Sequence, residues 1–327
     1  MQACASVDPA SVRLHASGIV PPPLRLRASL LRTPGSRDRS APPGRDRPAE
    51  VESPEWVNAM PIVFRAIMPH GDELLPYTAA DAGLAVLHQS MAAIGEALGK
   101  AKPDLVVIAS PHHLRIPGHL AIADTSYAEG SVAAGDEVFS RRVTLDREFN
   151  RTLAEASAAA GLPPARAGFT TAEGPLASLP LDFGSLVPLY YLVGREGGPN
   201  VCIIGPPRDL GLRPLVRLGA EIARRSGGRR VAFVASADLA HAHRVDGPYG
   251  FDPAAADYDA LVQKAALLGD LRPLVEVPPA LVAKAKPDAP WQLAILQGLM
   301  DTPGRPFDLA YARPTYFGML AARLEAS

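Results

Sequence analysis

The stretch LVVIASPHH, residues 105–113, decides how this chain is read. Leu105 to Ala109 is apolar throughout, with no polar alternation. Such a run suits a strand buried on both faces, as in a parallel sheet covered by helices. Two imidazoles, His112 and His113, follow directly. A second apolar run, Val231 to Ser236, is followed by Ala237-Asp238-Leu239-Ala240-His241-Ala242-His243. A third, Ile62 to Ile67, leads into Met68-Pro69-His70. Three strand ends therefore each deliver histidine. In open α/β sheets, ligands gather outside the carboxyl ends of the strands.

Outward from these runs, the periodicity predicts helices over Ala79–Leu98, Val143–Ala160, Leu212–Arg225, Ala254–Leu268, Leu271–Val275 and Trp291–Leu299. Leu186–Val193 and Val201–Ile204 read as further strands. Strands alternating with helices imply an α/β fold with a mostly parallel central sheet flanked by helices. One domain is expected over residues 60–327. Residues 1–59 are rich in proline and arginine and show no period of 2 or 3.6. They read as a disordered tail that cannot offset its ordering entropy. The prolines Pro21-Pro22-Pro23 break the only stretch that could serve as a secretory signal.

Composition narrows the function classes. Of 327 residues, 47% are hydrophobic and 20% charged, which excludes global disorder. A net charge of −1 gives no reason to expect nucleic acid or an anionic membrane as partner. The two cysteines, Cys4 and Cys202, cannot build a disulfide framework or a four-cysteine zinc site. No apolar run is long enough to span a bilayer. A reducing, cytoplasmic setting is expected. Nucleophile-elbow, phosphate-loop, dinucleotide and HExxH motifs are all absent from the sequence.

Imidazoles converging at strand ends suit a divalent transition metal, and a neighbouring histidine can serve as acid or base. Two histidines and one carboxylate on a metal leave positions open for substrate and dioxygen. The carboxylates in reach of such a site are Asp72, Asp182, Asp238, Glu276 and Asp288. Three of them also have a plainer reading. Asp182 suits a turn or helix cap, Asp288 an N-cap for the helix near Trp291, and Asp238 an outer partner that orients a histidine. His119, past a Pro-Gly turn, and His88, inside a helix, read as structural.

Taken in order, these segments resemble the class III extradiol ring-cleavage dioxygenases, the LigB-like catalytic subunit group. The resemblance covers residues 61 to about 325. It rests on His70, on Pro111-His112-His113, and on Asp182-Phe183-Gly184 with Pro188-Leu189. Leu239-Ala240-His241 and Tyr311-Ala312-Arg313-Pro314-Thr315-Tyr316-Phe317-Gly318 complete it. The resemblance implies Fe(II) as cofactor, with Zn or Mn as alternatives. It implies His70 and His113 as metal ligands, with His112 competing for the second place. Asp288 is the expected third ligand, with Glu276 behind it. His241 takes the acid/base place, acting in protonated form, and Asp182 and Phe183 the substrate-contacting places. The partners implied are a small aromatic substrate and dioxygen, with self-association or a small partner subunit as further possibilities.

One departure stands out. Ring-cleaving members often carry Asp-His-Gly where this chain has Asp182-Phe183-Gly184. A phenyl ring cannot move a proton, so His243 or Tyr190 would have to stand in. Two other functions therefore stay open. One is a non-catalytic metal-binding or accessory protein of the Memo-like kind on the same fold. The other is a zinc hydrolase.

Overall fold

The computed structural model describes residues 62–75, 82–134, 136–171, 173–194 and 198–326. The tail expected at 1–59 and the first residues of the helix expected from Ala79 lie outside them. The elements run β1 (Ile62–Met68), α1 (Ala82–Ala101), β2 (Leu105–Ala109), β3 (Leu120–Ala123), β4 (Tyr127–Ala134), β5 (Glu137–Thr144) and α2 (Arg147–Ala159). Then come β6 (Pro164–Ala167), β7 (Ser178–Pro180), α3 (Phe183–Leu192), β8 (Asn200–Gly205), α4 (Leu212–Arg225) and β9 (Val231–Ser236). The chain closes with α5 (Ala254–Leu268), α6 (Arg272–Val275), α7 (Pro279–Ala285), α8 (Pro290–Gly298), β10 (Arg305–Ala312) and β11 (Met319–Glu325).

Eight strands form the central sheet in the order β10-β11-β1-β9-β2-β8-β3-β6. Its middle, β1-β9-β2-β8, is wholly parallel. The continuous apolar runs now have their cause. In β2, Leu105, Val107 and Ala109 face one core, while Val106 and Ile108 face the other. In β9, Val231, Phe233 and Ala235 alternate with Ala232 and Val234 in the same way. Helices α2, α4, α5 and α8 cover the first face, and α1 and α3 cover the second. A sheet covered on both sides has no solvent face to require polar alternation.

The strands β1, β9 and β2 are immediate neighbours, and their carboxyl ends are level. Met68 pairs with Ser236, and Ala109 pairs with Ala235. The three histidine-bearing segments therefore leave the sheet side by side. This register assembles the site.

Two expectations need correction. Leu186–Val193, read as a strand, lies almost wholly within helix α3. Asp182 N-caps that helix, its side chain accepting the Ser185 N–H. Gly184 through Leu189 are all buried, so the helix is apolar on every side and shows no amphipathic period. The helix expected from Val143 begins at Arg147 instead, because Val143 and Thr144 belong to β5. That strand pairs with β4 in a separate three-stranded sheet, β5-β4-β7.

Candidate metal centre

His70, His112 and Asp288 each bring one ligand atom to a common point, all within 4.8 Å of one another. His70 leaves the end of β1, His112 the end of β2, and Asp288 sits just ahead of α8. Asp288 Oδ2 lies 3.2 Å from His70 Nε2 and 3.4 Å from His112 Nε2. Ligand atoms about 2.1 Å from one ion lie roughly 3.0–3.4 Å apart at octahedral or tetrahedral angles. The separations and the nitrogen–oxygen donor set therefore fit a divalent transition metal.

The surroundings hold these groups in place. The Ser236 hydroxyl donates its one hydrogen to the Gly184 carbonyl, which can only accept. Toward His70 Nδ1, 3.0 Å away, that hydroxyl therefore accepts. Nδ1 carries the hydrogen, and Nε2 presents its lone pair to the cluster when the ring is neutral. Asp288 Oδ1 accepts the Asp238 N–H at 3.0 Å. Asp238 in turn accepts the His70 N–H at 3.1 Å and sets Oδ2 3.4 Å from His70 Nε2. Gly184 allows the close approach of α3. A Cβ there would lie 2.6 Å from Ser110 Oγ and 3.1 Å from His112 Cδ2.

The electrostatics are those of a site short of positive charge. Burial works to lower the His70 pKa, but Asp238 and Asp288 outweigh it and push the imidazole up to about 9. Burial, aided by Asp288 and opposed by His70, pushes Asp238 up to about 7. Asp288 goes the other way. Its burial is overcome by His70, His112 and His241, and its carboxyl is held well below the usual range.

Beside the cluster lies a cavity of about 590 Å³, within the range of small-molecule sites. His70, His112, Phe183, His241, Tyr316 and Phe317 are among its walls, with Asp72, Glu73 and Asp238 as its carboxylates. A larger hollow of about 780 Å³ lies around Ile62–Arg65, at the other end of β1. It adjoins none of the three cluster residues, so the chemistry belongs to the smaller one.

The expected site residues divide. The structure brings His70 and Asp288 together. His113, expected as the second ligand, does not join them, and His112 takes that place. His113 is buried with Nδ1 3.6 Å from Asp182 Oδ2, while Ser110 bonds the other oxygen of that carboxylate. Consecutive residues past a strand end point in different directions, so only one of the pair can face the cluster. Asp182, expected to touch substrate, instead spends its oxygens on Ser110, Ser185 and the α3 N-terminus. Burial would raise its pKa, but His113, Ser110 and Ser185 hold it low. Phe183 does line the cavity. It is 44% exposed, with its ring centroid 4.1 Å from that of His112.

His241 also lines the cavity, its ring stacked on Phe317 at 5.2 Å. Its Nδ1 lies 2.9 Å from the Leu239 carbonyl, so Nδ1 carries a hydrogen and Nε2 is left as the acceptor. Burial holds its pKa below the usual value, although Asp288 opposes this. That direction favours the neutral ring in the free site, from which the acid form expected of it is reached by taking up a proton. His243, expected to be catalytic, is buried outside the cavity. A guanidinium only donates, so His243 Nδ1 accepts from Arg313 at 2.7 Å and Nε2 donates to Asp259 at 2.8 Å. Tyr190, the other stand-in, has Arg141 over its ring at 4.3 Å and does not line the cavity. Glu276 is exposed and pairs with Arg213. His119 bonds the Pro117 carbonyl, and His88 bonds Tyr191.

Two groups escaped the sequence reading. Ser236 ends an apolar run, and only its position two residues before Asp238 hints at a role. Asp259 lies on α5 and looks like an ordinary surface acid. It accepts the Ala240 N–H at 2.9 Å and the Tyr311 hydroxyl at 2.8 Å, anchoring the loop that carries His241.

Similarity to known proteins agrees with this picture. A solved structure, that of uncharacterized protein JW3007 from Escherichia coli K12, superposes with a TM-score of 0.57 at 15% identity. The match covers 80% of this chain and 98% of that one, and it speaks for the fold alone. Protein CA_C1420 of Clostridium acetobutylicum is 26% identical over 175 residues, which is 52% of this chain and 37% of that protein. This chain thus matches little more than a third of that relative's length. A family described as the catalytic LigB subunit of aromatic ring-opening dioxygenase matches residues 65–313, a span that holds all three cluster residues and the cavity walls other than Tyr316 and Phe317, and the chain belongs to that LigB family.

Proposed function

We propose that this chain is a non-haem Fe(II) dioxygenase that opens a catechol-like ring on the extradiol side. The observation that carries this reading is the His70–His112–Asp288 cluster beside a cavity that also presents His241. A ferrous ion held there would supply the one-electron chemistry that couples an electron-rich ring to dioxygen. His70 and His112 would hold it through nitrogen and Asp288 through oxygen, leaving further positions for small ligands.

The remaining work falls to side chains. His241 is neutral at rest with Nε2 as its acceptor, so it is set to take a proton from a ring hydroxyl as substrate binds. It then holds that proton at Nε2 and can return it as a general acid. Phe183, Tyr316 and Phe317 give the cavity flat apolar surfaces against which an aromatic ring can pack. Phe183 covers the outer side of His112, the most exposed member of the cluster, and limits access of water to it.

The test is dioxygen uptake by the full chain, loaded anaerobically with Fe(II) and mixed with catechol and its alkyl derivatives. The expected result is uptake matched by loss of the ring absorbance. Tight metal binding without uptake of dioxygen by any of these phenols overturns the reading.

A further inference from the structure

Pro188 sits inside α3, where proline is costly because it has no N–H to continue the helical ladder. The acceptor it would have bonded, four residues back, is the carbonyl of Gly184. That same carbonyl receives the Ser236 hydroxyl. The Ser236 hydroxyl in turn accepts from His70 Nδ1 at 3.0 Å. Every atom in the chain is buried: His70 is 1% exposed and Ser236 fully enclosed.

We propose that Pro188 is a positioning residue for the metal centre. By leaving the Gly184 carbonyl without a helical donor, it fixes the direction of the Ser236 hydroxyl, and through it the tautomer of His70. With any other residue at 188, an amide hydrogen would compete for that carbonyl. A carbonyl can accept two hydrogens, so sharing would weaken rather than abolish its hold on the Ser236 hydroxyl, letting that hydrogen turn toward His70 Nδ1 part of the time. That turn favours the ring form protonated at Nε2, the nitrogen that must face the cluster bare. The helix thus gives up a backbone hydrogen bond so that one imidazole arrives with the correct lone pair. The proposal depends on the cluster binding metal and not on any dioxygen chemistry.

The relay makes an unusual pair of effects, because stability and metal affinity move in opposite directions. In the full chain, Pro188→Ala should restore a helical hydrogen bond and raise the melting temperature measured without metal. The same substitution weakens Zn(II) binding by about tenfold, the low end for an outer partner of a metal-ligating histidine. Ser236→Ala removes the relay at its middle and weakens Zn(II) by about 10- to 100-fold, while Ser236→Thr, which keeps the hydroxyl, restores most of the affinity. Pro188→Ala added to Ser236→Ala weakens binding no further, since both act through one hydroxyl. Nitrogen-15 NMR of the zinc-loaded wild type should show His70 protonated at Nδ1.

Unchanged Zn(II) affinity in Pro188→Ala, or full additivity of the two substitutions, overturns the relay. If the wild-type chain binds Zn(II) no better than a His70→Ala variant, the metal reading of the cluster fails and the relay goes with it. Normal wild-type binding with an indifferent Pro188→Ala removes the relay alone.

Discussion

Alanine at His112 and alanine at His113 should produce opposite defects, although the two residues are neighbours in sequence. His112 Nε2 lies 3.4 Å from Asp288 Oδ2, inside the span expected for two ligands on one ion. His112→Ala removes one of three protein ligands. Losing an outer partner of a ligand typically costs 10- to 100-fold, so losing the ligand itself should exceed about 100-fold, or roughly 2.7 kcal/mol. Folding should be little affected, because a third of that side chain already meets solvent. His113 is 6% exposed and packs beside Asp182. Truncating a buried side chain of this size costs about 2–3 kcal/mol, which lowers the melting temperature by roughly 4–12 °C in a chain of this length. Its zinc affinity should stay within about threefold of wild type. Competition against a chromophoric chelator measures the first quantity, and thermal melts without metal measure the second. The reverse pattern would refute the assignment: zinc lost with His113→Ala in a normally melting protein, and kept with His112→Ala.

Other outcomes follow from the same geometry. His241→Gln should leave zinc affinity intact and lower turnover of a catechol by roughly 10²–10⁴-fold, and an unchanged rate would remove His241 from proton transfer. No lysine or arginine is among the described residues lining the cavity, whereas Asp72, Glu73 and Asp238 are. A catechol bearing a carboxylate should therefore bind about 30-fold more weakly than its neutral analogue, since unit charges about 8 Å apart repel by roughly 2 kcal/mol at an effective dielectric near 20. Calorimetry on the zinc-loaded protein decides this, and equal affinities would count against it. Gly318→Ala should cost about 1–3 kcal/mol in a denaturant titration, because its Cβ would fall 2.1 Å from Asp259 Oδ2. Asp146 caps α2 through the Phe149 N–H and pairs with Arg229. Its burial is outweighed by Arg229, Phe149 and Asn200, so its pKa is lowered on folding. A lowered carboxylate stabilises above its unfolded pKa and stops doing so as pH falls through the folded value. Asp146→Ala should thus cost about 1–2 kcal/mol at pH 7 and progressively less below about pH 4; a gap that does not change with pH would contradict the linkage.

The α/β architecture was legible because its signal is local. Unbroken apolar runs at β2 and β9 follow from strands buried on both faces. The helices α4 and α5 carry the bounds that their sequences suggested, Leu212–Arg225 and Ala254–Leu268. Helix α3 was misread because a segment apolar on every side has no period to distinguish helix from strand. The hairpin of β4 and β5 was missed for a related reason: β5 alternates only in its second half, and one of the two buried positions there is the charged Arg141, so no apolar face shows in the sequence.

What the sequence determined by itself is that imidazoles leave three strand ends of a parallel sheet, with a carboxylate ahead of a late helix. Chain order and apolar patterning suffice for that much. Which imidazole faces the metal, which aspartate merely caps a helix, and that His243 braces a loop through Asp259 were decided in three dimensions. Those outcomes depend on strand register and on side-chain direction past each strand end. They depend also on hydrogen bonds between residues as much as 218 positions apart, such as His70 and Asp288. Neighbouring residues share a place in the sequence but not a direction in space, and only the packed sheet assigns that direction.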